Sequence, residues 1–128
     1  MWPFRNAPAG PLGPRGEDLA ARHLKRAGYR IVERNVRAGR HEIDIVARCG
    51  DTVAFVEVRT RASADPVPPE DTINPEKRRR LASAARHYMA RHPEPETYYR
   101  FDIIAILMPD RGKPQVTWLQ DAFQEKRT

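Results

Sequence analysis

The sequence predicts a single α/β domain in which a mixed central sheet is flanked by two helices. Two stretches, 17–27 and 81–89, repeat apolar residues at helical spacing. Short runs rich in Val, Ile and Phe are typical of strands, and three of them follow one another closely enough to form hairpins. A chain of 128 residues that is 40% hydrophobic can bury one substantial core but hardly two.

The first predicted helix begins near Gly16 and ends at Gly28, which suits a C-terminal cap. Glu17 falls in its first turn, where a negative charge is favourable beside the helix dipole. Residues 1–13 are proline-rich and lack periodicity, so they are predicted to be a mobile segment before the domain at 14–123. Residues 124–128 are predicted to be a polar tail.

Three strands are predicted next, at Tyr29–Val36, His41–Arg48 and Val53–Thr60. The turns at 38–40 and 49–51 are short and contain glycine, so consecutive strands should pair antiparallel. The third strand is apolar on both sides, which predicts a position in the middle of the sheet with both faces covered.

The second helix is the more clearly marked one. Asn74 is a good N-cap and Pro75 suits the first helical position. His92 and the proline after it are expected to end this helix. The stretch 62–74 before it contains three prolines and no apolar periodicity, so a long loop is predicted there.

A fourth strand, Tyr99–Leu107, and a short fifth one, Gln115–Leu119, complete the domain. The crossover through the second helix should bring the fourth strand in parallel to its neighbour in the sheet. Asp102 interrupts this apolar strand, and Arg100 lies two residues away on the same face. A structural ion pair between these two side chains is therefore predicted.

Two carboxylates on the adjacent hairpin strands form the candidate site. Asp44 alternates with Ile43 and Ile45, and Glu57 interrupts the two-sided apolar run of the third strand. A carboxylate in such a position costs several kcal/mol unless it is paired, hydrogen-bonded or bound to a metal. Cross-strand neighbours on one face lie close together, and two carboxylates with a backbone carbonyl and waters suit Mg²⁺ or Mn²⁺. Asp44 and Glu57 are therefore the predicted metal ligands.

The composition predicts the kind of partner and the cellular compartment of such a site. The net charge of +6 and the pI near 10.0 indicate a polyanionic partner, although basic residues spread for solubility would produce the same charge. A single cysteine, Cys49, excludes an internal disulfide and fits a reducing cytoplasm. No apolar run reaches the length of a bilayer span and no signal sequence is evident, so a cytoplasmic protein without membrane contact is predicted.

The second helix starts with four consecutive cations, Lys77 to Arg80. They form either a solvated basic turn or a phosphate contact beside the acids, with Lys77, Arg78 and Arg80 as the candidate nucleic-acid-binding residues. Four consecutive residues spread around a helix, so they cannot all serve one face.

In the PD-(D/E)xK nuclease superfamily, one strand carries an acid of the site and the next strand carries acid-x-lysine. The acidic hairpin, formed by the predicted strands His41–Arg48 and Val53–Thr60, resembles this pattern. A narrower set of motifs looks like the YraN-like family of predicted endonucleases. These motifs are Gly16-Glu17, Arg34-Asn35, Glu42-Ile43-Asp44, Phe55-Val56-Glu57-Val58, Lys77, Arg100-Phe101-Asp102 and Ala122-Phe123.

The resemblance implies a restriction-endonuclease-like core of helix, three strands, helix and strand, and it makes Glu17 a third carboxylate near the site. Two positions depart from the family pattern: His41 replaces a glycine, and the acid-x-lysine reads Glu57-Val58-Arg59. Arginine stays protonated where lysine can lose its proton. Arg59 can therefore stabilise negative charge in a catalytic role but cannot deprotonate water.

Three functions follow as hypotheses. The first is a Mg²⁺- or Mn²⁺-dependent endonuclease acting on DNA, with branched or structured DNA among its substrates. The second is a nucleic-acid-binding module that kept the nuclease fold and lost the chemistry. The third is a scaffold in which the acids and Arg59 form a buried ion-pair network that includes Asp102. A homodimer is an open alternative to a monomer, since nucleases that cut both strands often form two-fold dimers.

Overall fold

A computed structural model describes residues 12–62 and 74–124, which contain two helices and one five-stranded sheet. The strand order in the sheet follows the chain order, from β1 at one edge to β5 at the other. The predicted α/β class is confirmed. The elements are α1 (Leu12–Arg26), β1 (Arg30–Ala38), β2 (His41–Cys49), β3 (Thr52–Arg61), α2 (Pro75–Arg91), β4 (Tyr98–Leu107) and β5 (Gln115–Phe123).

The sheet is mixed because one of its four strand pairs is parallel. Strands β1, β2 and β3 form two consecutive antiparallel hairpins, and β4 pairs with β5 antiparallel. Strand β4 runs parallel to β3, with Thr52 beside Tyr98 and Arg61 beside Leu107. The prediction of a parallel crossover through α2 is confirmed, and β3 lies in the centre of the sheet.

Helices α1 and α2 cover opposite faces of the sheet. On the α2 side, Phe55 and Leu81 belong to one buried cluster. On the α1 side, Leu24, Val56 and Ile104 belong to a second one. Because β3 sends residues alternately into both clusters, its side chains are apolar in both directions, as predicted.

Both predicted helix caps are confirmed. Gly28 has a φ of +96°, a backbone conformation that favours glycine, and the N–H of Tyr29 donates to the Leu24 carbonyl. The Asn74 side chain accepts a hydrogen bond of 2.8 Å from the Lys77 backbone N–H, and α2 ends at Arg91 before His92. Within the described residues, neither helix is long and apolar enough to cross a membrane.

Two element boundaries differ from the prediction by four residues, and the strand boundaries elsewhere differ by one or two. Helix α1 begins at Leu12, four residues before the predicted start, because Pro14 is tolerated in a first turn where backbone N–H groups need no helical partner. Strand β5 continues beyond Leu119 to Phe123, which pairs with Phe101 after a bulge. Residues 1–11, 63–73 and 125–128 lie outside the described residues, so the mobile segment as far as residue 11, most of the predicted loop and the tail from residue 125 stay predictions. Residues 12 and 13 of the predicted mobile segment are instead part of α1.

Gly16 lies where α1 approaches the end of β3 very closely. A Cβ atom at this position would overlap with the Thr60 side chain. Glycine at this position therefore allows α1 to pack against β3, and the next residue, Glu17, is held near the strand that carries Glu57.

Asp102 is fully buried in β4 and is satisfied by four hydrogen bonds. Arg100 donates two of them, each 2.8 Å long, from Nε and Nη2. The Trp118 indole N–H and the Asp121 backbone N–H donate the other two, both 2.9 Å long. The predicted structural ion pair is confirmed, and it also ties β5 to β4.

Candidate functional site

The two candidate ligands lie side by side where β2 and β3 leave their regular pairing. Ile45 and Val56 form the last regular pair, and Asp44 and Glu57 are the next residues on each strand. Glu57 is buried, with 6% of its surface exposed. The Val58 backbone N–H donates a 2.8 Å hydrogen bond to Asp44 Oδ2. The Asp44 carboxylate is thus the acceptor for an N–H that would bond to a backbone carbonyl in a regular strand pair.

The pKa of Asp44 is raised from its ordinary 3.8 to about 7. Burial is the largest cause, followed by the negative charge of Glu57 and, more weakly, that of Glu17. The hydrogen bond from Val58 and the positive charge of Lys77 act in the opposite direction. Two carboxylates are thus held together with too little positive charge beside them to keep Asp44 readily ionised.

The backbone around Asp44 is irregular. Ile43 packs in the α2-side cluster and Ile45 in the α1-side cluster, so strict alternation is interrupted at the residue between them. On the neighbouring strand, Asn35 lies opposite Asp44 between two paired residues and has a φ of +52°. The prediction of regular alternation along β2 is wrong here, and the irregularity falls at the candidate ligand itself.

Two cations converge on Glu57. Lys77 Nζ lies 3.3 Å from Glu57 Oε2, and Arg59 Nη1 lies 3.7 Å from the same oxygen. Both cationic side chains remain more than a third exposed, whereas that of Glu57 is 8% exposed. The buried Glu57 carboxylate therefore lies beside two cations that remain accessible to solvent and to a bound anion.

A cavity of about 240 Å³ lies between α2 and the ends of β2 and β3. Asp44, Glu57 and Lys77 line it together with Arg80, whose Nη2 makes a 2.6 Å ion pair with Glu76 Oε1. His41, which replaces the glycine expected by resemblance, lines the same cavity. The cavity is polar and is large enough for hydrated ions or a phosphate group.

Glu17 lies near the pair but is engaged with Arg34. Arg34 Nη2 lies 3.7 Å from Glu17 Oε1 and 2.9 Å from Asp18 Oδ1. Across residues 12–62 and 74–124, no three acidic, histidine or cysteine side chains converge into a metal-holding group. Glu17 therefore acts on Asp44 through its charge, and the candidate ligand set is the pair Asp44 and Glu57.

The basic residues at the start of α2 divide between two sides of the helix, as their consecutive positions predict. Lys77 and Arg80 line the acid cavity. Arg78 instead lies over the Phe123 ring, 5.6 Å from its centroid. Sequence reasoning missed the contact of Lys77 with Glu57, although Lys77 is four residues before Leu81 and thus continues the apolar stripe that faces the sheet.

The donor chemistry of this site fits a hard divalent cation. Asp44 and Glu57 offer carboxylate oxygens, which Mg²⁺ and Mn²⁺ prefer together with backbone carbonyls and water. A divalent ion would also supply the positive charge whose shortage raises the pKa of Asp44. Asp102 makes its hydrogen bonds to β4 and β5 residues, so the network that holds it is separate from this site.

Sequence comparisons place this chain among proteins that share most of its length. Residues 16–106 match the family described as Uncharacterised protein family UPF0102. A UPF0102 protein of Geotalea uraniireducens is 41% identical over 113 residues, which cover 88% of this chain and 89% of the relative. A UPF0102 protein of Solibacter usitatus is 46% identical over 110 residues, with 84% and 82% covered.

A relative from Chlorobaculum tepidum is 47% identical over 96 residues, which cover 75% of this chain and 74% of the relative. The family match over residues 16–106 contains most of α1, strands β1 to β3, α2 and most of β4. The chain belongs to the UPF0102 family, the YraN-like group that its motifs resemble.

Proposed function

We propose that this chain is a divalent-metal-dependent, nuclease-like protein that hydrolyses phosphodiester bonds of DNA, branched DNA included. The observation that carries the proposal is the pair of carboxylates, Asp44 and Glu57, which line one polar cavity with Lys77, while Arg59 lies beside Glu57. The order helix, three strands, helix, strand supports a restriction-endonuclease-like core, since it is the order that the resemblance implies.

Asp44 and Glu57 would hold Mg²⁺ or Mn²⁺. When bound, such an ion activates water and stabilises negative charge on the phosphate. Asp44 Oδ2 is oriented by the Val58 N–H, and Glu57 is kept in place by burial and its cationic neighbours. Both carboxylates are thus positioned before a ligand arrives, which reduces the cost of organising the site.

Lys77 and Arg59 would act on the substrate phosphate. Each stands beside Glu57 and remains partly exposed, so its other N–H groups can donate to phosphate oxygens. As a guanidinium, Arg59 would stabilise negative charge on the phosphate, whereas Lys77 would supply an amine group at the site. The net charge of +6 supports a polyanionic partner, and the cytoplasmic setting and a homodimer stay predictions.

The direct test is cleavage of labelled branched, single-stranded and duplex DNA, with an RNA strand alongside, in Mg²⁺ or Mn²⁺. The wild-type chain is expected to cut at least one DNA substrate. Asp44→Asn and Glu57→Gln are each expected to reduce the rate at least a hundredfold, because each removes a charged ligand. Glu33→Gln, which removes an exposed carboxylate on edge strand β1, serves as the charge-matched control and should cut normally.

Failure of the wild-type chain to cut any of these substrates in either metal would contradict the proposed activity. Cleavage that survives in both Asp44→Asn and Glu57→Gln would point to a contaminating nuclease or to another site. Cleavage of RNA alone would support metal-dependent phosphodiester hydrolysis but would contradict DNA as the substrate.

A second candidate is a nucleic-acid-binding module that retains the fold without the chemistry. The two ion pairs on Glu57 favour it, because Lys77 and Arg59 already neutralise part of the charge that a metal would balance. Arg59 stands where the acid-x-lysine pattern has its lysine, and this replacement also favours a binding module.

Substitutions of the two cations separate these candidates. In an active enzyme, Arg59→Lys is expected to retain cleavage within about tenfold, since the charge stays in place, whereas Lys77→Gln is expected to lose about a hundredfold. These rates are measured with the substrate that the wild-type chain cuts. If Arg59→Lys creates cleavage that the wild-type chain lacks, the natural protein is a binding module with a disabled site.

A further inference from the structure

Helix α2 borders a second cavity on the side away from the acids. This cavity measures about 440 Å³, and three arginines, Arg78, Arg79 and Arg86, line it together with Ala82 and Phe123. The proposed catalytic chemistry uses none of these residues. They come from two elements that are distant in the chain, α2 and the end of β5.

The floor of this cavity is an aromatic ring that is held in place by packing. Phe123 is buried and stacks on Phe101, with ring centroids 4.9 Å apart and the planes at 14°. The Arg78 guanidinium lies over the Phe123 ring at 5.6 Å from its centroid. Because a guanidinium held over an aromatic face keeps the N–H groups at its edge available, Arg78 is positioned for an anion.

The helix spacing explains the shape of the cavity. Arg78, Ala82 and Arg86 recur every four residues and therefore follow one face of α2. The small Ala82 side chain leaves room between the two arginines. Strand β5 supplies the floor through Phe123, so the cavity depends on the extension of this strand to Phe123.

Arg78 and Arg79 are less neutralised than Arg80, which faces the acids. Arg80 is paired with Glu76 at 2.6 Å. No carboxylate within residues 12–62 and 74–124 forms a salt bridge with Arg78 or Arg79. The second cavity thus combines an apolar aromatic floor with two arginines available to a phosphate.

We infer that this cavity binds a phosphate group of the same nucleic-acid strand whose scissile phosphodiester lies at Asp44 and Glu57. The inference rests on the proposed function for its choice of ligand. The two cavities lie on opposite flanks of α2, and a helix with side chains is about 10 Å wide. Successive phosphates advance about 3.4 Å per nucleotide along a duplex, so a strand crossing α2 would reach both sites within a few nucleotides.

The occupant is a strand rather than a free phosphate because the cavity exceeds what one phosphate fills. Its apolar floor can accept a sugar or a base while the arginines hold the backbone. Arg78 and Arg79 therefore position the strand, and Lys77 and Arg59 meet the phosphate beside the acids.

The test is equilibrium binding of labelled single-stranded and duplex DNA in EDTA, where no divalent metal takes part, over a series of salt concentrations. The variants are Arg78→Gln, Arg79→Gln and the double substitution. Arg91→Gln is the matched control, because it removes an exposed arginine from the last turn of the same helix, outside both cavities.

The slope of log K against log salt is expected to fall by about 0.7 to 0.9 for each cavity arginine removed. The double variant should therefore bind roughly 25-fold more weakly to single-stranded DNA and roughly 60-fold more weakly to duplex DNA at about 0.1 M salt. Arg91→Gln should change binding much less. If the double variant binds like Arg91→Gln, the inference is overturned whatever the cleavage assay shows.

A second readout distinguishes the sources of phosphate. NMR signals of the Arg78 and Arg79 side-chain Nε–H groups are followed during titration with a DNA oligonucleotide and, separately, with pyrophosphate. Shifts with DNA support the inference. Shifts with pyrophosphate but no DNA binding would overturn the strand as the ligand. Arginine-dependent binding without any cleavage would support the inference while contradicting the proposed hydrolysis.

Discussion

In metal-free buffer at pH 8, Asp44→Asn is expected to be more stable than the wild-type chain by a few kcal/mol. The reason is the pKa of Asp44, which burial and the charge of Glu57 raise from 3.8 to about 7. At about 1.4 kcal/mol for each pKa unit, ionising this carboxyl group in the folded chain is costly. Asparagine keeps the shape and can still accept the Val58 hydrogen bond, but it carries no charge.

The direction of the pH dependence follows from proton uptake. Between about pH 4 and 7 the folded state holds a proton on Asp44 that the unfolded state has lost, so stability falls as pH rises through this range. Below about pH 4, Asp44 is protonated in both states and its contribution is fully present. The advantage of Asp44→Asn should therefore be small at pH 4 and largest at pH 8.

Chemical denaturation at pH 4, 6 and 8 in EDTA measures this difference. Glu33→Gln is the control, because an exposed carboxylate should show no comparable trend. A wild-type stability that rises between pH 4 and 8 relative to Asp44→Asn would show that the carboxyl group is stabilised as an anion without metal. The shortage of positive charge at the site would then be disproved.

Asp102→Ala is expected to destabilise the chain by about 3–5 kcal/mol, the range for removing one partner of a buried ion pair. The substitution leaves the Arg100 guanidinium, the Trp118 indole N–H and the Asp121 N–H without their acceptor. The hydrogen bonds that Arg100 donates to Asp102 raise the pKa of Arg100 above its ordinary value. Asp102→Ala removes this stabilisation and leaves the positive charge of the guanidinium without its partner.

Thermal unfolding measures this effect, with a decrease in Tm of roughly 10–20 °C expected for a domain of this size. Asp102→Asn should fall between the wild type and Asp102→Ala, since it retains an acceptor but not the charge. Glu94→Ala breaks an exposed ion pair with Arg48 and should cost less than about 1 kcal/mol. Equal losses in Asp102→Ala and Glu94→Ala would contradict the structural role of the buried network.

The fold class, the element order and the helix caps follow from local patterns, so they could be predicted. Hairpin turns at 38–40 and 49–51 are short enough to impose antiparallel pairing, and this brings Asp44 and Glu57 to neighbouring positions. Arg100 and Asp102 share one face of one strand, so their ion pair also depends only on local spacing.

The partners that complete the site could not be predicted because they depend on tertiary packing. The contact of Lys77 with Glu57 requires the position and rotation of α2, and residues 63–73 separate that helix from β3. The stripe that begins at Lys77 and continues through Leu81 and Tyr88 was the available signal. The irregularity at Asp44 depends on a strand partner with an unusual φ, which periodicity does not reveal.

The length of β5 was underestimated for a similar reason. Gln120 and Asp121 are two consecutive polar residues that interrupt the strand pattern, yet the chain continues past them as a strand. Asp121 adopts a φ of +52° and donates its N–H to Asp102, and the register shift brings Phe123 onto Phe101. The second cavity beside α2 exists only because of this extension.

The most direct test of the central claim is calorimetric titration of the wild-type chain with Mn²⁺ and Mg²⁺ at pH 7.5, without nucleic acid. The proposed site predicts that an ion binds in a manner lost in Asp44→Asn and Glu57→Gln and retained in Glu33→Gln. Protons should be released on binding, since the pKa of Asp44 is about 7 in the metal-free chain. Absence of binding, or binding that all three variants retain, would contradict a metal site at Asp44 and Glu57.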